Sequence, residues 1–249
     1  MPELPASVRV AVWTSFAWSH GADADTVLRS ALPDLDLVLG LTEQLDLWRD
    51  LGERAVYAAL PRPGAPGLLP RCTPDAFATA TSAQEAVFVA GVGGLSTPRL
   101  VHFGAADDGL AVRWESHDAD PVPAHRLAGI DLADADRQLR QAVHAVADDL
   151  GDGGWVDAWQ PQPPTLSERQ WALPGDLPDR VRGLLVRAGS VLEIAGRGLE
   201  HADASTTTQL ARDRRAILLP LRDVAVAALE AAACVGAGYF SARSRSTRS

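Results

Sequence analysis

The chain has 249 residues and a formal net charge of −9, and 47% of its residues are hydrophobic. This profile is typical of a globular protein large enough for one sizeable domain or two small ones. None of its 23 basic residues is a lysine, which excludes Schiff-base and pyridoxal-phosphate chemistry and phosphate sites built on a lysine.

Helical patterns dominate the first fifty residues. Residues 6–19 place apolar side chains on one helical face, which predicts a helix. We expect Asp23 or Asp25 to cap a second, short helix, because Asp accepts hydrogen bonds from the free N–H groups of a first turn. By the same argument, Thr42 is expected to cap a third helix.

The middle of the chain changes to a strand pattern. Apolar runs bounded by glycine and proline predict strands, and these runs are residues 54–60, 85–90, 98–103 and 110–114. The last two runs are expected to form a hairpin. Thr73-Pro74-Asp75 opens a helix between the first two runs, with the threonine as its cap. The pattern predicts an α+β fold, a sheet of three to five strands packed with helices.

The second half of the chain is predicted to be helical, with one interruption. A helix over 131–150 begins at Asp131 and ends before a glycine-rich break. Residues 178–200 and 206–238 are predicted to be two long helices that form an antiparallel hairpin across 201–205. The predicted organisation is an α+β body (1–152), a Trp/Pro-rich linker (153–164), a helical region (165–240) and a disordered Arg/Ser tail (241–249). Whether the body and the helical region share a core stays open.

A glycine-rich turn follows one of the predicted strands. Gly91-Val-Gly93-Gly94 resembles the start of a dinucleotide-binding turn. That motif needs a third glycine at position 96, where this chain has Ser96. We therefore interpret the glycines as a tight turn with positive φ, and keep a small-ligand site at 91–94 as an alternative.

The densest group of metal-ligating residue types lies between residues 102 and 125. His117, Asp118 and His125 are candidate catalytic residues, and His102, His117, Asp120 and His125 are candidate metal ligands. Nitrogen and oxygen donors of this kind hold divalent ions. Their spacing matches no established metal motif, and Asp side chains also close turns. Both interpretations are kept.

Charge and cysteine usage restrict the partners and the compartment. An acidic chain lacks the clustered positive surface that nucleic acid requires. The most apolar stretch, residues 216–240, is interrupted by proline and by charged residues, so we expect no membrane span. Cys72 and Cys234 form no recognisable pair. These features favour a soluble cytoplasmic protein.

Three segments carry a resemblance. Leu60–Pro70, Glu85–Gly94 and Asp118–Pro123 resemble an uncharacterised family from GC-rich actinobacteria, and the likeness spans roughly residues 5–150. The resemblance implies a cytoplasmic bacterial protein. It brings no activity, cofactor or site residue.

The absence of a recognisable catalytic set favours a non-enzymatic interaction or regulatory protein. We expect the Pro-rich loop 61–70 and the helical pair to contact a protein partner or a second copy of the chain, without a resident cofactor or metal. A metal-assisted hydrolase using the His/Asp cluster at 102–125 is the alternative. A small-ligand-binding protein is the second alternative.

Overall fold

The computed structural model describes residues 4–103, 109–150, 173–203 and 208–246. Its helices are α1 (Ala6–His20), α2 (Ala24–Ala31), α3 (Leu41–Asp50), α4 (Pro74–Ala83), α5 (Ala124–Ala128), α6 (Leu132–Leu150), α7 (Asp179–Asp203) and α8 (Thr208–Ser246). The predicted linker over 153–164 lies outside the described residues.

Side-chain caps start several of these helices as the sequence predicts. The carboxylate of Asp23 accepts a hydrogen bond from the Thr26 N–H at 2.8 Å. Thr73 caps α4 through the Ala76 N–H at 3.3 Å, and Asp131 caps α6 through the Ala133 N–H at 2.8 Å. Each contact satisfies a donor that has no partner within its own helix.

The predicted cap of α3 is wrong. The helix begins one residue earlier than Thr42, at Leu41, and Gly40 stands at the cap position with φ +78°. A side chain at residue 40 would place its Cβ 2.6 Å from the carbonyl oxygen of Trp114. Close approach between two backbone segments selects glycine here, and this approach depends on the sheet.

The described strands form one five-stranded mixed sheet, so the α+β prediction is confirmed. The strands are β1 (Leu37–Leu39), β2 (Tyr57–Ala59), β3 (Ala86–Phe88), β4 (Leu95–Phe103) and β5 (Gly109–His117). Their order is β1-β5-β4-β3-β2, and β1 pairs with β5 in parallel while the other neighbours are antiparallel. The sequence analysis did not predict β1, which is only three residues long.

The C-terminal helices α7 and α8 form an antiparallel pair. Gly198, late in α7, touches Leu218, early in α8, whereas Gly236, late in α8, touches Val181 at the start of α7. α8 continues to Ser246, into the segment for which a disordered tail was predicted. Among the described residues, no helix combines the length and the apolarity that crossing a membrane requires.

One hydrophobic core joins the sheet to the C-terminal helices. Its fully buried members include Val8 of α1, Val87 of β3, Leu184 of α7 and Leu229 of α8. Helix α1 packs between the sheet and α8, and it contacts both. The question that the sequence left open is therefore answered, because the two halves of the chain share this core.

Candidate functional site

A cleft of about 820 Å³ lies beside β4. One wall is the start of α1 together with Asp34 and Leu35, and the other is the last two turns of α4. Residues 97–100 of β4 line the cleft between these walls. Concave sites of this size, with mixed apolar and polar linings, are the usual places where proteins bind ligands or peptide segments.

The strand that lines the cleft has an unpaired side. β3 pairs with β4 only through Ser96 and Leu95. Beyond them, within the described residues, no strand pairs with residues 97–103 on the side away from β5. We call this side of residues 97–103 the open edge of β4. Unpaired strand edges are templates for pairing with another chain.

The orientation of the backbone groups on the open edge follows from their neighbours. Val89 N–H donates to the carbonyl oxygen of Gly94 at 3.4 Å, so this carbonyl points towards β3. At the far end, Leu110 accepts from Asp36 N–H at 3.0 Å and faces β1, so its partner on β4, His102, faces away from β5. Residues alternate along an antiparallel ladder.

Pro98, Leu100 and His102 therefore turn their backbone groups towards the open edge. This orientation agrees with a proline at residue 98, because a strand proline has no N–H and belongs where no ladder bond is required. The open edge offers N–H groups at Leu100 and His102 and carbonyls at all three residues. In the described part of the chain, none of these groups has a hydrogen-bond partner.

Apolar side chains accompany these backbone groups. Leu100 is 64% exposed, more than any other large hydrophobic residue in the described part of the chain. Leu35, Leu110 and Val112 line the same cleft. The open edge thus combines free backbone groups with apolar side chains, the two features that strand-binding sites use.

Charged groups hold the walls of the cleft in place. The guanidinium of Arg9, nearly completely buried in α1, pairs with the carboxylate of Asp34 at 2.5 Å. The carboxylate of Glu85 accepts from the Ser7 N–H at 2.8 Å and so caps the start of α1. Burial raises the pKa of Glu85, against the opposing effects of Ser7 and Arg9. These contacts fix α1 relative to the two segments that flank it.

Sequence analysis missed these cleft residues. The available signals were a proline inside a predicted strand, which indicates an edge, and an arginine inside the apolar run of the first helix. Neither signal identifies which elements meet, because Arg9 and Asp34 come together only after α1 and the α2–β1 connection pack against each other.

The structure places His102 far from the other residues of the predicted His/Asp cluster. The Nε2 atom of His117 lies 3.1 Å from Thr97 Oγ1 on the face of the sheet, while Asp118, Asp120 and His125 are exposed. His117 pairs with Leu95, and His102 lies seven residues further along β4. At the usual rise per strand residue, His102 is therefore about 24 Å from the position of His117. Among the described residues, no group of three His, Cys, Asp or Glu could hold a metal ion.

The glycine turn is a backbone packing site. Gly93 has φ +80° and Gly94 φ +98°, which confirms the prediction of positive φ. The Gly94 N–H donates to the Ala119 carbonyl at 3.1 Å, and the Val92 N–H donates to Glu53 Oε1 at 2.6 Å. These N–H groups are thus used within the protein.

The Pro-rich loop is held by a buried acid from the other end of the chain. Glu230, on α8, is 4% exposed. Its Oε1 accepts from the Leu60 N–H at 2.6 Å and from the Leu68 N–H at 3.2 Å. Arg62 of the same loop pairs with Asp223 of α8 at 2.6 Å. We call this set of contacts the Glu230 anchor.

Burial raises the pKa of Glu230, although the two N–H donors and the nearby Arg62 and Arg126 oppose the change. Sequence analysis did not single out this residue. The one available signal was an isolated Glu within the Ala-rich stretch of the last helix. Its partner, Leu60, lies 170 positions earlier in the chain.

Comparison with known proteins places both halves of the chain in one family. The model of the N-terminal domain of Rv1486c-like proteins matches residues 7–128, and the model of their C-terminal domain matches residues 133–230. No curated protein and no solved structure matches the chain. The boundary between the two models falls before α6, which packs on α8. The chain therefore belongs to the Rv1486c-like family.

Proposed function

We propose that this protein is a non-enzymatic interaction module that binds an extended protein segment along the open edge of β4. The observation that carries the proposal is the unpaired side of residues 97–103 at the cleft. A segment added there forms main-chain hydrogen bonds with Leu100 and His102, and its side chains enter the cleft on either side.

The open edge is better suited to binding than the surfaces expected from the sequence. Glu230 holds the Pro-rich loop through the N–H of Leu68 within it and the N–H of Leu60 just before it. Among the described residues of the helical pair, the exposed large apolar residues are Ile194 of α7 and Leu219 and Tyr239 of α8, and the two on α8 are 20 residues apart. That separation is about 30 Å of helix, so they do not form one patch.

A cytoplasmic location is part of the proposal. Cys72 and Cys234 are both free thiols. Free thiols persist in a reducing compartment such as the cytoplasm. A buried free cysteine packs there as a small apolar side chain.

Site-specific photo-cross-linking tests the proposed function. A photo-reactive amino acid is placed at residue 100 of the full chain in the native cells. The same amino acid is placed at residue 51 as the control, because Leu51, the residue after α3, is 56% exposed and does not line the cleft. We expect protein adducts from residue 100 only.

A second substitution links the adduct to strand pairing. His102→Pro removes an N–H from the open edge without removing a bond to β5, and His102→Ala keeps the N–H. The adduct is expected to disappear with proline and to persist with alanine. Equal adduct yields from residues 100 and 51, or an adduct indifferent to proline, contradict the proposal.

A further inference from the structure

The two faces of the sheet are covered to different extents. Val112 and Trp114 of β5 belong to the core that joins the sheet to the C-terminal helices. Successive side chains of a strand point to opposite faces. On the second face, Phe88 of β3 and Leu95 of β4 pack with Ala80 of α4 in a separate cluster. Among the described residues, this cluster includes none of β1 or β5, so it covers only one side of the second face.

The strand register defines the rest of the second face. Across β1, β5 and β4 it forms two neighbouring rows, which are Leu37, Ala111 and Val101 in one row and Leu39, Arg113 and Arg99 in the next. We call these six residues the arginine face. None of them belongs to a hydrophobic cluster of the described part of the chain.

Apolar side chains form a shallow groove on the arginine face. Ala111, on the middle strand, is 2% exposed and lies between the larger side chains of Leu37 and Val101. Leu37 is 42% exposed. A partner that covers this groove removes apolar area from water, which favours binding.

Two arginines stand directly opposite each other beside the groove. Arg99 and Arg113 are cross-strand partners, and like charges in that position are destabilising. Glu115 forms an ion pair with Arg99 at 3.1 Å. Arg113 is exposed, and within the described part of the chain its guanidinium has no ion pair. The arginine face therefore has one more positive charge than Glu115 neutralises, although the chain as a whole has a net charge of −9.

The width of the arginine face matches one helix. β1 and β4 flank β5, so they lie about 10 Å apart at the usual strand spacing, and a helix with its side chains is about 10–12 Å across. Helices α1, α3 and α8 contact strands of the same sheet, and a sheet usually buries its apolar side chains against helices.

The chemistry of the arginine face restricts the partner further. The groove requires apolar side chains, which a phosphate backbone does not offer. Arg113 requires an anionic group, and a carboxylate can accept two parallel hydrogen bonds from a guanidinium. Both requirements are met by one helix that has leucine-like residues and an Asp or Glu on the same side.

We infer that the arginine face docks a helix of a protein partner, with Arg113 paired to an acidic residue of that helix. Leu37, Leu39 and Val101 contact its apolar residues. This surface differs from the open edge of β4. Of its six residues only Arg99 also lines the cleft, and the side chain of Leu100 points to the opposite face of the sheet.

Photo-cross-linking identifies the partner helix. A photo-reactive amino acid is placed at residue 37 of the full chain in the native cells, and mass spectrometry locates the residues joined to it. The control position is residue 77, because Phe77 on α4 is also 42% exposed. We expect residue 37, and not residue 77, to be joined to a helix of another protein that has Asp or Glu within one turn of apolar residues.

Charge reversal then tests the role of Arg113. The partner protein is purified, and its dissociation constant is measured with variants of the full chain. Arg113→Glu should raise this constant about tenfold or more, because an attractive pair becomes repulsive. Arg180→Glu makes the same charge change at an exposed residue of α7 and should leave the constant unchanged. Changing the acidic residue of the partner to lysine should restore binding to R113E.

A stability measurement distinguishes this role from a structural one. Arg113→Gln removes one of the two opposed charges, so the thermal midpoint of the free protein should stay equal or rise while the partner binds more weakly. A lower midpoint contradicts the repulsion between Arg99 and Arg113.

The remaining outcomes are equally decisive. Adducts that join residue 37 to nucleic acid, to lipid, to a second copy of the chain or to its own Trp/Pro-rich segment overturn the inference. So do the absence of any adduct at residue 37 and a partner that binds R113E and the wild type equally well. Adducts at residue 100 are measured separately, so each of these results leaves the proposed function intact.

Discussion

Replacing Glu230 with alanine removes the contact that anchors the Pro-rich loop to α8. Leu60 N–H and Leu68 N–H both donate to Oε1 of Glu230, at 2.6 and 3.2 Å. Each donor left unsatisfied costs about 1–3 kcal/mol. Arg62 and Arg126 also lose a nearby opposite charge. We expect the free energy of unfolding to fall by about 3–5 kcal/mol, the usual cost of breaking a buried charged contact.

Glu230→Gln is the matched control. Glutamine keeps an oxygen at the position of Oε1, so it accepts both hydrogen bonds, and a neutral amide is easier to bury than a carboxylate. The weaker hydrogen bonds of a neutral acceptor and the smaller cost of burying it offset each other. We therefore expect the free energy of unfolding to stay within about 1 kcal/mol of the wild type.

Urea unfolding measures both variants, with the slope m compared to confirm that the unfolded states are alike. Amide hydrogen exchange at Leu60 and Leu68 gives a local measurement, and exchange should be faster in E230A than in E230Q. If the free energies of unfolding of E230A and E230Q differ by less than about 1 kcal/mol, the anchor does not stabilise the loop. The same conclusion follows if the Leu60 and Leu68 amides exchange at the same rate in the two variants.

The same residue has a predicted pH dependence. Burial raises the pKa of Glu230 above the ordinary value of 4.5. At a pH between 4.5, the pKa of Glu230 in the unfolded chain, and its raised pKa in the folded protein, the folded state keeps a proton that the unfolded state has released. The stability of the wild type relative to E230Q is thus greatest below pH 4.5 and decreases as the pH rises through the raised pKa. A difference that stays constant with pH contradicts the shift.

Three further predictions concern close approaches and a buried thiol. Gly67→Ala should destabilise the protein by about 2 kcal/mol or more, because the new methyl group overlaps the Glu230 carboxylate at a residue with φ +58°. In an E230A background the loss of stability should fall to about half. Equal losses in both backgrounds would show that the effect of Gly67→Ala does not depend on Glu230. Gly93→Ala should lower the urea midpoint by a similar energy, since its Cβ overlaps the Ala119 carbonyl at φ +80°, and an unchanged midpoint would contradict that contact. Burial raises the pKa of Cys234 to about 12, so a thiol reagent at neutral pH should modify it only as fast as the protein unfolds; rapid modification of the native protein would show that the thiol is accessible.

The cleft depends on contacts that are remote in the chain. The proline at position 98 could have indicated, from the sequence alone, a stretch of strand with one unpaired side, because a strand proline belongs where no ladder bond is required. The depth of the cleft could not be predicted, since it requires α1, α4 and β4 to meet. Likewise, nothing local to Glu230 indicates that its partner is Leu60.

Local chemistry is what the sequence by itself determined. The caps at Asp23, Thr73 and Asp131, the helical periodicity and the alternation in β4 and β5 all act within a few residues, so their patterns predict helices and strands directly. The α+β class and the C-terminal helix pair follow from them.

Only the tertiary structure decided which of these elements lie together. β1 is three residues long and becomes a strand by pairing in parallel with β5, more than seventy positions away. The His/Asp cluster, close in sequence, is divided because His102 on β4 and His117 on β5 lie at opposite ends of the hairpin. Strand pairing and burial act between distant segments, and no local pattern records which segments will meet.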